Sequence, residues 1–144
     1  YNAGLFLMHK RGTPKDMQKK LNPRANMVKE FDKFIEKRLK ILNKMKFNLK
    51  KVWFDPGIGF GKTLNQNLQL MRSLSKYSHK NLQILLGSSR KSWINFIDPS
   101  NADQRIGGSL ASITHALQQN VNTFRIHDVQ ETNQMIKVLK VLNK

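Results

Sequence analysis

Residues 52–63 of the chain read VWFDPGIGFGKT, a short apolar run that ends in an aspartate and passes into a glycine-rich loop. A run of this length bounded by proline and glycine predicts a buried β-strand. Ligands of parallel α/β folds bind at the carboxyl ends of the strands, so Asp55 stands where a binding group is expected. The alternative is a tight turn with an exposed aspartate.

Two nucleotide-binding motifs are incomplete in this stretch. The GKT at 61–63 matches the end of a phosphate-binding loop, but that motif needs a glycine at position 56, where Pro56 stands. The dinucleotide pattern G-x-G-x-x-G meets a lysine or a leucine where its third glycine belongs. What remains is a carboxylate at the end of a strand, followed by a glycine-rich loop whose backbone a flat ligand can approach closely. Such a carboxylate can accept two parallel hydrogen bonds from a flat, amino-substituted heterocycle.

Four apolar runs recur along the chain, and helical spacing of apolar residues follows each of them. The runs are residues 5–8, 52–54, 82–86 and 122–126, and the helical stripes are residues 28–45, 64–74, 110–117 and 135–142. Ser109 is a predicted N-cap of the third helix, and Asp128 with Glu131 has capping-box spacing at the fourth.

This βαβαβαβα order predicts a parallel sheet covered by helices. Two arrangements fit it: an open doubly wound sheet, or part of a (β/α)8 barrel. Four units make half a barrel, with two strand edges unpaired and an inner face uncovered.

Polar or glycine-rich residues end every apolar run, which suits one shared pocket better than four separate sites. Residues 87–92, GSSRKS, place hydroxyls and two cations directly after the third run. The lysine ammonium is a compact charge with three N–H donors, and the arginine guanidinium is planar and can donate two parallel hydrogen bonds. This cluster can therefore bind a carboxylate, a phosphate or a ring carbonyl. The alternative is a solvated basic turn.

Arg125 and His127 follow the fourth run and are two residues apart, so in a strand they point to the same side. An arginine in an apolar strand needs an anionic or planar partner to offset its desolvation. Arg125 and His127 together therefore predict a diphosphate-binding site. The alternative is an internal salt bridge to Asp55 or Asp128. His9 is interpreted as a core histidine slightly more readily than as a catalytic one.

Composition limits the function classes. The 144 residues suit one domain, and 39% hydrophobic content can build a core. The absence of cysteine fits a reducing, cytoplasmic location, and no apolar run approaches the roughly 20 residues of a membrane span. The net charge of +17 is spread over lysine-rich helices, which favours a solvated basic surface over a nucleic-acid interface. We therefore expect no nucleic-acid or membrane partner. No His, Asp or Glu cluster has metal-ligand spacing.

Several segments, in order, resemble the dihydropteroate synthase family: residues 7–18, 55–62, 89–92, 107–111 and 125–132. The match covers essentially the whole chain. The resemblance implies an α/β fold, the (β/α)8 TIM barrel, of which this chain covers about strands 5–8 with their helices. Residues 1–144 are then expected to be the C-terminal half of a single pterin-binding barrel domain, with the N-terminal half absent. The non-methionine start at Tyr1 supports that expectation.

The resemblance also implies an activity, the condensation of 6-hydroxymethyl-7,8-dihydropterin diphosphate with p-aminobenzoate to 7,8-dihydropteroate and diphosphate. By resemblance, Asp55 and Lys91 bind the pterin, Arg125 packs over it, and Arg125 with His127 holds the diphosphate. Ser89 and Lys91 border p-aminobenzoate, and Lys91, Arg125 and His127 are the catalytic residues. Further contacts to the pterin ring are expected from Met8, Ile58, Phe60 and Gly87.

Family members use Mg²⁺ to assist loss of diphosphate, form homodimers through helices of this half, act in the cytoplasm and are sulfonamide targets. The metal ligands are expected from the substrate diphosphate and the missing half, with none in this fragment. Because further pterin groups and two mobile loops also belong to that half, we expect the 144-residue piece alone to be inactive.

Three rival interpretations stay open. A methyltetrahydrofolate-dependent methyltransferase would share the pterin aspartate but not the anion and arylamine site at Ser89 and Lys91. A nucleic-acid-binding module would rest on the +17 charge. A non-catalytic remnant would be kept for association with another subunit.

Overall fold

The sheet is parallel throughout and follows chain order. The computed structural model describes residues 3–13, 15–19, 21–78 and 80–143, so Pro14 of the first resembled segment lies outside the described residues. Within these ranges the strands run in the order β1-β2-β3-β4. They are β1 (Leu5–Met8), β2 (Val52–Asp55), β3 (Gln83–Leu86) and β4 (Thr123–Phe124). An order without reversal is that of a barrel, since a doubly wound sheet reverses at its switch point.

Helices connect the strands. They are α1 (Met27–Lys44), α2 (Leu64–Arg72), α3 (Ser75–Ser78), α4 (Ser92–Asn95), α5 (Ile106–Leu117) and α6 (Val129–Leu142). Short 3-10 turns cover Leu49–Lys51 and Ala102–Gln104. Right-handed crossovers between neighbouring parallel strands place the connecting helices on the same face of the sheet. Among the residues described, no helix combines the length and apolarity that crossing a membrane would require.

One face of the sheet packs against the helices and forms the core. Val52 and Phe54 of β2, and Ile84 and Leu86 of β3, are buried there with Phe31 of α1. Alternate residues of a strand point to opposite faces, so Trp53 and Asp55 lie on the other face. Each fully buried side chain of this kind contributes about 1.5–3 kcal/mol, which ties β2 and β3 firmly to the helix layer.

The second face of the sheet is the more open one. Phe6 on the edge strand β1 is 59% exposed, and its ring centroid lies 5.3 Å from that of half-buried Trp53. β1 and β4 each pair with a single neighbour among the described residues. The expected half-barrel, with two free edges and an uncovered inner face, matches this arrangement.

The fourth strand and two predicted helix-capping interactions differ from the predictions, although α6 does begin after Asp128 as predicted. β4 is only Thr123–Phe124, shorter than the predicted 122–126, although the Arg125 N–H still donates to the Leu86 carbonyl at 3.0 Å. Ser109 is not an N-cap, because α5 begins three residues earlier at Ile106. Asp128 makes no capping bond with its side chain, which pairs with Arg90 instead. At Asp128 a tertiary ion pair replaces the capping bond, whereas the Ser109 hydroxyl lies inside α5, where it donates to the Arg105 carbonyl and accepts from the Arg90 N–H.

Candidate active site

The carboxyl ends of the four strands gather the predicted site residues. Met8 at the end of β1 lies in register with Asp55 at the end of β2. Registered neighbours of a parallel sheet share a face, so both side chains point to the open face. β3 leads directly into Gly87, and Arg125 follows β4. The shared strand-end pocket predicted from the sequence therefore has its groups on one side of one sheet.

Asp55 is a buried carboxylate at the centre of this edge. It is 4% exposed, and its Oδ1 accepts a hydrogen bond of 2.7 Å from the Gly57 N–H. Burial raises the pKa of Asp55 above its ordinary value, while the Gly57 N–H and the charges of Lys91, Arg125 and Lys62 act against the rise. The predicted alternative, an exposed aspartate in a tight turn, is excluded by this burial.

Lys91 reaches from the end of β3 to the loop after β2. Its ammonium donates a hydrogen bond to the Ile58 carbonyl and lies 4.2 Å from the centroid of the Phe60 ring. Burial lowers the pKa of Lys91 to about 8, with Asp55 opposing the shift and Arg125 adding to it. Lys91 is thus held between a carboxylate and an aromatic face, rather than solvated in a basic turn.

A cavity of about 440 Å³ opens beside these groups. Its lining residues come from three strand ends and are Phe60, Gly87, Ser89, Arg90, Lys91, Ala102, Arg125 and His127. A Cβ on Gly87 would lie 3.1 Å from Nη2 of Arg125, so the glycine makes room for the guanidinium. A larger, mostly apolar cavity of about 580 Å³ lies near Leu21, Leu64 and Phe96. The smaller cavity is the better candidate site because the charged strand-end groups surround it.

Arg125 and His127 meet at this cavity although they lie beyond β4. His127 Nδ1 is 3.0 Å from Ser89 Oγ, which joins the third and fourth strand ends. Within the described ranges no side-chain ion pair of Arg125 occurs, so the predicted alternative of a salt bridge to Asp55 or Asp128 is not formed. Its guanidinium is available to an anionic or planar ligand.

An ion pair and two hydrogen bonds of Arg90 fix the loop between β3 and α4. Arg90 has a left-handed backbone, φ 56°, and its side chain pairs with Asp128. The Arg90 N–H donates to Ser109 Oγ at 2.9 Å, and Arg105 Nη1 donates to the Arg90 carbonyl at 3.0 Å. Left-handed backbone is unfavourable for a non-glycine residue, so these bonds offset its cost and fix Ser89 and Lys91 on either side.

The glycine-rich loop after β2 is packed against the chain that follows β1. Gly57 has φ 64°, and a Cβ there would lie 1.9 Å from the His9 carbonyl oxygen. Gly61 has φ 68°, and a Cβ there would lie 2.4 Å from the Arg11 carbonyl oxygen. The glycines permit backbone-to-backbone contact that any side chain would block.

This contact predicts a matched pair of stability changes. Gly57→Ala should lower the free energy of unfolding by more than about 2 kcal/mol, because the new methyl collides with backbone in a left-handed conformation. Gly107→Ala is the control: nothing lies within 4 Å of its Cβ position in α5, and alanine should raise stability by up to about 1 kcal/mol. Urea titrations measure both. Equal, small changes would contradict the close contact at Gly57.

Comparison with known proteins identifies the family. The family described as "Pterin binding enzyme" matches residues 1–127. The chain belongs to the pterin-binding enzyme family. The resemblance inferred from the sequence motifs is thereby confirmed.

Among named relatives of this pterin-binding chain, the bifunctional dihydropteroate synthase/dihydropteroate reductase of Helicobacter pylori is 35% identical over 144 residues, covering 100% of this chain and 37% of that protein. The Escherichia coli dihydropteroate synthase is 35% identical over 135 residues, covering 93% of this chain and 47% of that protein. The chain thus spans half or less of the length of these curated relatives.

A solved structure extends the likeness to three dimensions. The Yersinia pestis dihydropteroate synthase, solved as a sulfonamide drug complex, has a TM-score of 0.89 and 31% identity to this chain. The match covers 97% of this chain and 51% of that one. The prediction that the chain forms about half of a (β/α)8 barrel is confirmed.

The predicted roles of individual residues in this pterin-binding half stay predictions, but their positions are now fixed. Eight of the nine lie at the strand ends described above: Met8, Asp55, Phe60, Gly87, Ser89, Lys91, Arg125 and His127. Ile58 differs, because its side chain is fully buried in the core and only its carbonyl is seen to bind Lys91. A ring contact through the Ile58 side chain would require that side chain to move.

His9 is a core residue by burial and packing, but in the described part of the chain it is not the fully hydrogen-bonded core histidine that was predicted. It is 7% exposed, packs edge-on against Phe34 with centroids 5.5 Å apart, and its Nδ1 has no hydrogen-bond partner among the described residues. Burial, with the charges of Lys62 and Arg11, lowers the pKa of His9 to about 4, which keeps the ring neutral at physiological pH. A neutral, packed ring is a spacer between α1 and the strand ends.

Sequence reasoning missed three positioning groups: Lys62, Arg105 and the Arg90–Asp128 pair. In the sequence, Lys62 belongs to an incomplete phosphate-loop motif and ends the segment 55–62 that resembles the family, with no role of its own. The signal available was a lysine that follows three glycines, at 57, 59 and 61, in the loop after a strand, which favours a cation that bonds backbone carbonyls at close range. Asp128 had only a helix-cap signal, because its partner Arg90 is 38 residues away, and no motif marked the bond from Arg105 to the Arg90 carbonyl, 15 residues away.

Proposed function

We propose that the full-length product of this gene is a dihydropteroate synthase, an alkyl- and aryl-group transferase of folate biosynthesis. It would join 6-hydroxymethyl-7,8-dihydropterin diphosphate to p-aminobenzoate, giving 7,8-dihydropteroate and diphosphate. The observation that supports this most is the placement of one buried carboxylate and two cations, Asp55, Lys91 and Arg125, around one end of one sheet. The names of the relatives support it independently.

Recognition of the pterin follows from the chemistry of Asp55. A buried carboxylate binds best to a planar edge that presents two N–H donors, because both hydrogen bonds are then charge-assisted. The raised pKa of Asp55 reflects the cost of burying its charge without such a donor edge. Lys91 can meanwhile donate to a ring carbonyl or nitrogen, once it leaves the Ile58 carbonyl that it binds here. The flat face of Phe60 then borders the ring.

Arg125 and His127 supply the anion site. As the bond between the pterin methylene carbon and the diphosphate oxygen breaks, negative charge grows on the diphosphate. The fixed guanidinium of Arg125 and a hydrogen-bond donor from His127 stabilise the transition state more than the ground state. The amine of p-aminobenzoate forms the new C–N bond to the same carbon and loses one proton. Ser89 and Lys91 lie beside Arg125 and are placed to border this second substrate.

Magnesium remains part of the proposal, but these residues do not build a magnesium site. Among the residues that the structure describes, no three His, Cys, Asp or Glu side chains gather as ligands. The cavity is lined by cations, which suits a diphosphate and not a bare metal ion. Any Mg²⁺ would be held by substrate oxygens and by groups outside this chain.

A homodimer in the cytoplasm also belongs to this proposal. α6 exposes a run of apolar side chains, with Val138 52%, Val141 69% and Leu142 73% exposed. An apolar helix face of this kind favours contact with a second copy. Sedimentation velocity of the full-length product tests it, and a monomer at micromolar concentration would contradict it.

The activity is tested by steady-state assay of the full-length product with Arg125→Ala beside it. The wild type should form dihydropteroate, and a sulfonamide should compete with p-aminobenzoate. Arg125→Ala should weaken product inhibition by inorganic diphosphate by about tenfold or more, since a charge-assisted clamp is lost.

The control for Arg125→Ala is Arg72→Ala, an exposed arginine at the end of α2, which should leave the kinetics unchanged. A wild type without turnover would overturn the proposed function. Turnover with methyltetrahydrofolate but no sulfonamide binding would favour the rival methyltransferase. Normal diphosphate inhibition in Arg125→Ala would overturn only the role of Arg125 in diphosphate binding, and the proposed activity would stand.

A further inference from the structure

Lys62 is a buried cation that binds backbone rather than a carboxylate. It is 3% exposed, and its Nζ donates hydrogen bonds to the carbonyls of Gly57 at 2.8 Å, Phe60 at 3.0 Å and His9 at 3.1 Å. In the part of the chain that is described, it forms no salt bridge. Its three N–H donors are all used, and all three acceptors belong to loops at the carboxyl ends of β1 and β2.

These loops need a cation at this point. The left-handed glycines bring the backbone of residues 57–61 against residues 9–11, and several carbonyl oxygens converge there. Buried carbonyls without donors are costly, and an ammonium group at the centre of three of them satisfies all at once. Burial lowers the pKa of Lys62 to about 8, so the cation is retained at neutral pH.

Lys62 bonds to the backbone of two residues that are connected to the expected pterin-binding groups. It holds the carbonyl of Gly57, whose N–H donates to Asp55 Oδ1 at 2.7 Å. It also holds the carbonyl of Phe60, whose ring faces the Lys91 ammonium. The opposite side of the loop is fixed by Asn67, whose Oδ1 accepts from the Gly59 N–H at 2.8 Å.

We infer that Lys62 is a positioning residue for pterin recognition: by joining the loops after β1 and β2, it fixes the orientation of the Asp55 carboxylate and the Phe60 ring. Lys62 itself touches no substrate. The inference rests on the proposed function and adds to it a residue that acts on the site through the backbone of Gly57 and Phe60. Without Lys62 the two loops separate, and Asp55 loses its preset direction before the pterin arrives.

The test is Lys62→Met in the full-length product, with Lys40→Met, an exposed lysine of α1, as the charge-matched control. The KM for pterin diphosphate should rise by about tenfold or more in Lys62→Met, while kcat at saturating pterin changes far less. A merely structural role would reduce the folded fraction, which lowers the apparent kcat and leaves KM unchanged. Circular dichroism at the assay temperature measures that fraction.

The possible outcomes distinguish the inference about Lys62 from the proposed function. A raised pterin KM in folded Lys62→Met, with normal kinetics in Lys40→Met, supports the inference. An unchanged pterin KM overturns it and leaves the proposed function standing. If Lys62→Met does not fold, Lys62→Gln, which keeps two donors, is measured by the same criteria. If neither folds, Lys62 is a requirement of the fold and the inference is wrong. A wild type without turnover overturns the proposed function, and the inference with it.

Discussion

Asp55→Asn is expected to abolish pterin use while leaving the protein as stable as before, or more stable. Asparagine has nearly the same shape but presents one neutral acceptor and an NH₂ group that opposes the donors of the pterin edge. Losing two charge-assisted hydrogen bonds should reduce kcat/KM by roughly 10²–10⁴-fold. Burial already raises the pKa of Asp55, so removing its charge also removes a desolvation cost.

Two measurements on the same variant separate these effects. Steady-state kinetics with pterin diphosphate should show the loss of activity, and thermal unfolding should show an unchanged or higher Tm. Asp98→Asn, at an exposed position after α4, is the control and should change neither quantity. A variant that keeps its activity, or that loses activity only because it unfolds, would remove Asp55 from the binding site.

Lys91→Ala is expected to weaken both substrates together. Lys91 lies between Asp55, the Phe60 ring and Ser89, so its ammonium faces the pterin side and the p-aminobenzoate side of the cavity. Each KM should rise about tenfold or more as one charge-assisted hydrogen bond is lost on each side. Lys40→Ala on α1 is the matched control. A change confined to diphosphate affinity would contradict this assignment.

The same lysine contributes to the alkaline limit of activity, together with Lys62, whose pKa burial also lowers to about 8. Burial lowers the pKa of Lys91 to about 8. Its side chain is therefore a charged ammonium below about pH 8, and it loses this charge as the pH rises above that value. The kcat/KM for pterin diphosphate should therefore fall above about pH 8, since this ratio reports the free enzyme. Lys91→Arg, which stays charged, should remove the part of the fall that Lys91 causes and leave the part due to Lys62, even if its absolute rate is lower.

Much of the fold could be predicted from the sequence because the strands are short, continuous apolar runs. β1 was predicted to the residue, and β2 and β3 to within one residue at one end. β4 was overestimated at both ends: the Arg125 N–H still bonds to β3, but residues 122, 125 and 126 form no ladder pair. α3 and α4 have four residues each and are too short for helical periodicity to show.

The candidate site was predictable for a different reason. Carboxyl ends of parallel strands share one edge, so Asp55, Lys91 and Arg125 could be brought together from their order alone. What could not be predicted is which polar groups of the site bind one another. The Lys91 bond to the Ile58 carbonyl, the Lys62 bonds to three carbonyls and the Arg90–Asp128 pair depend on loop conformations with no periodic pattern.

The central claim is that Asp55, Lys91 and Arg125 bind one flat ligand and its anionic tail. A crystal structure of the full-length product soaked with 6-hydroxymethyl-7,8-dihydropterin diphosphate tests it most directly. The account predicts the amino edge of the pterin on the Asp55 carboxylate, Lys91 released from the Ile58 carbonyl to the ring, and the diphosphate on Arg125 and His127. A pterin bound elsewhere, with Asp55 more than a hydrogen-bond length away, would contradict it.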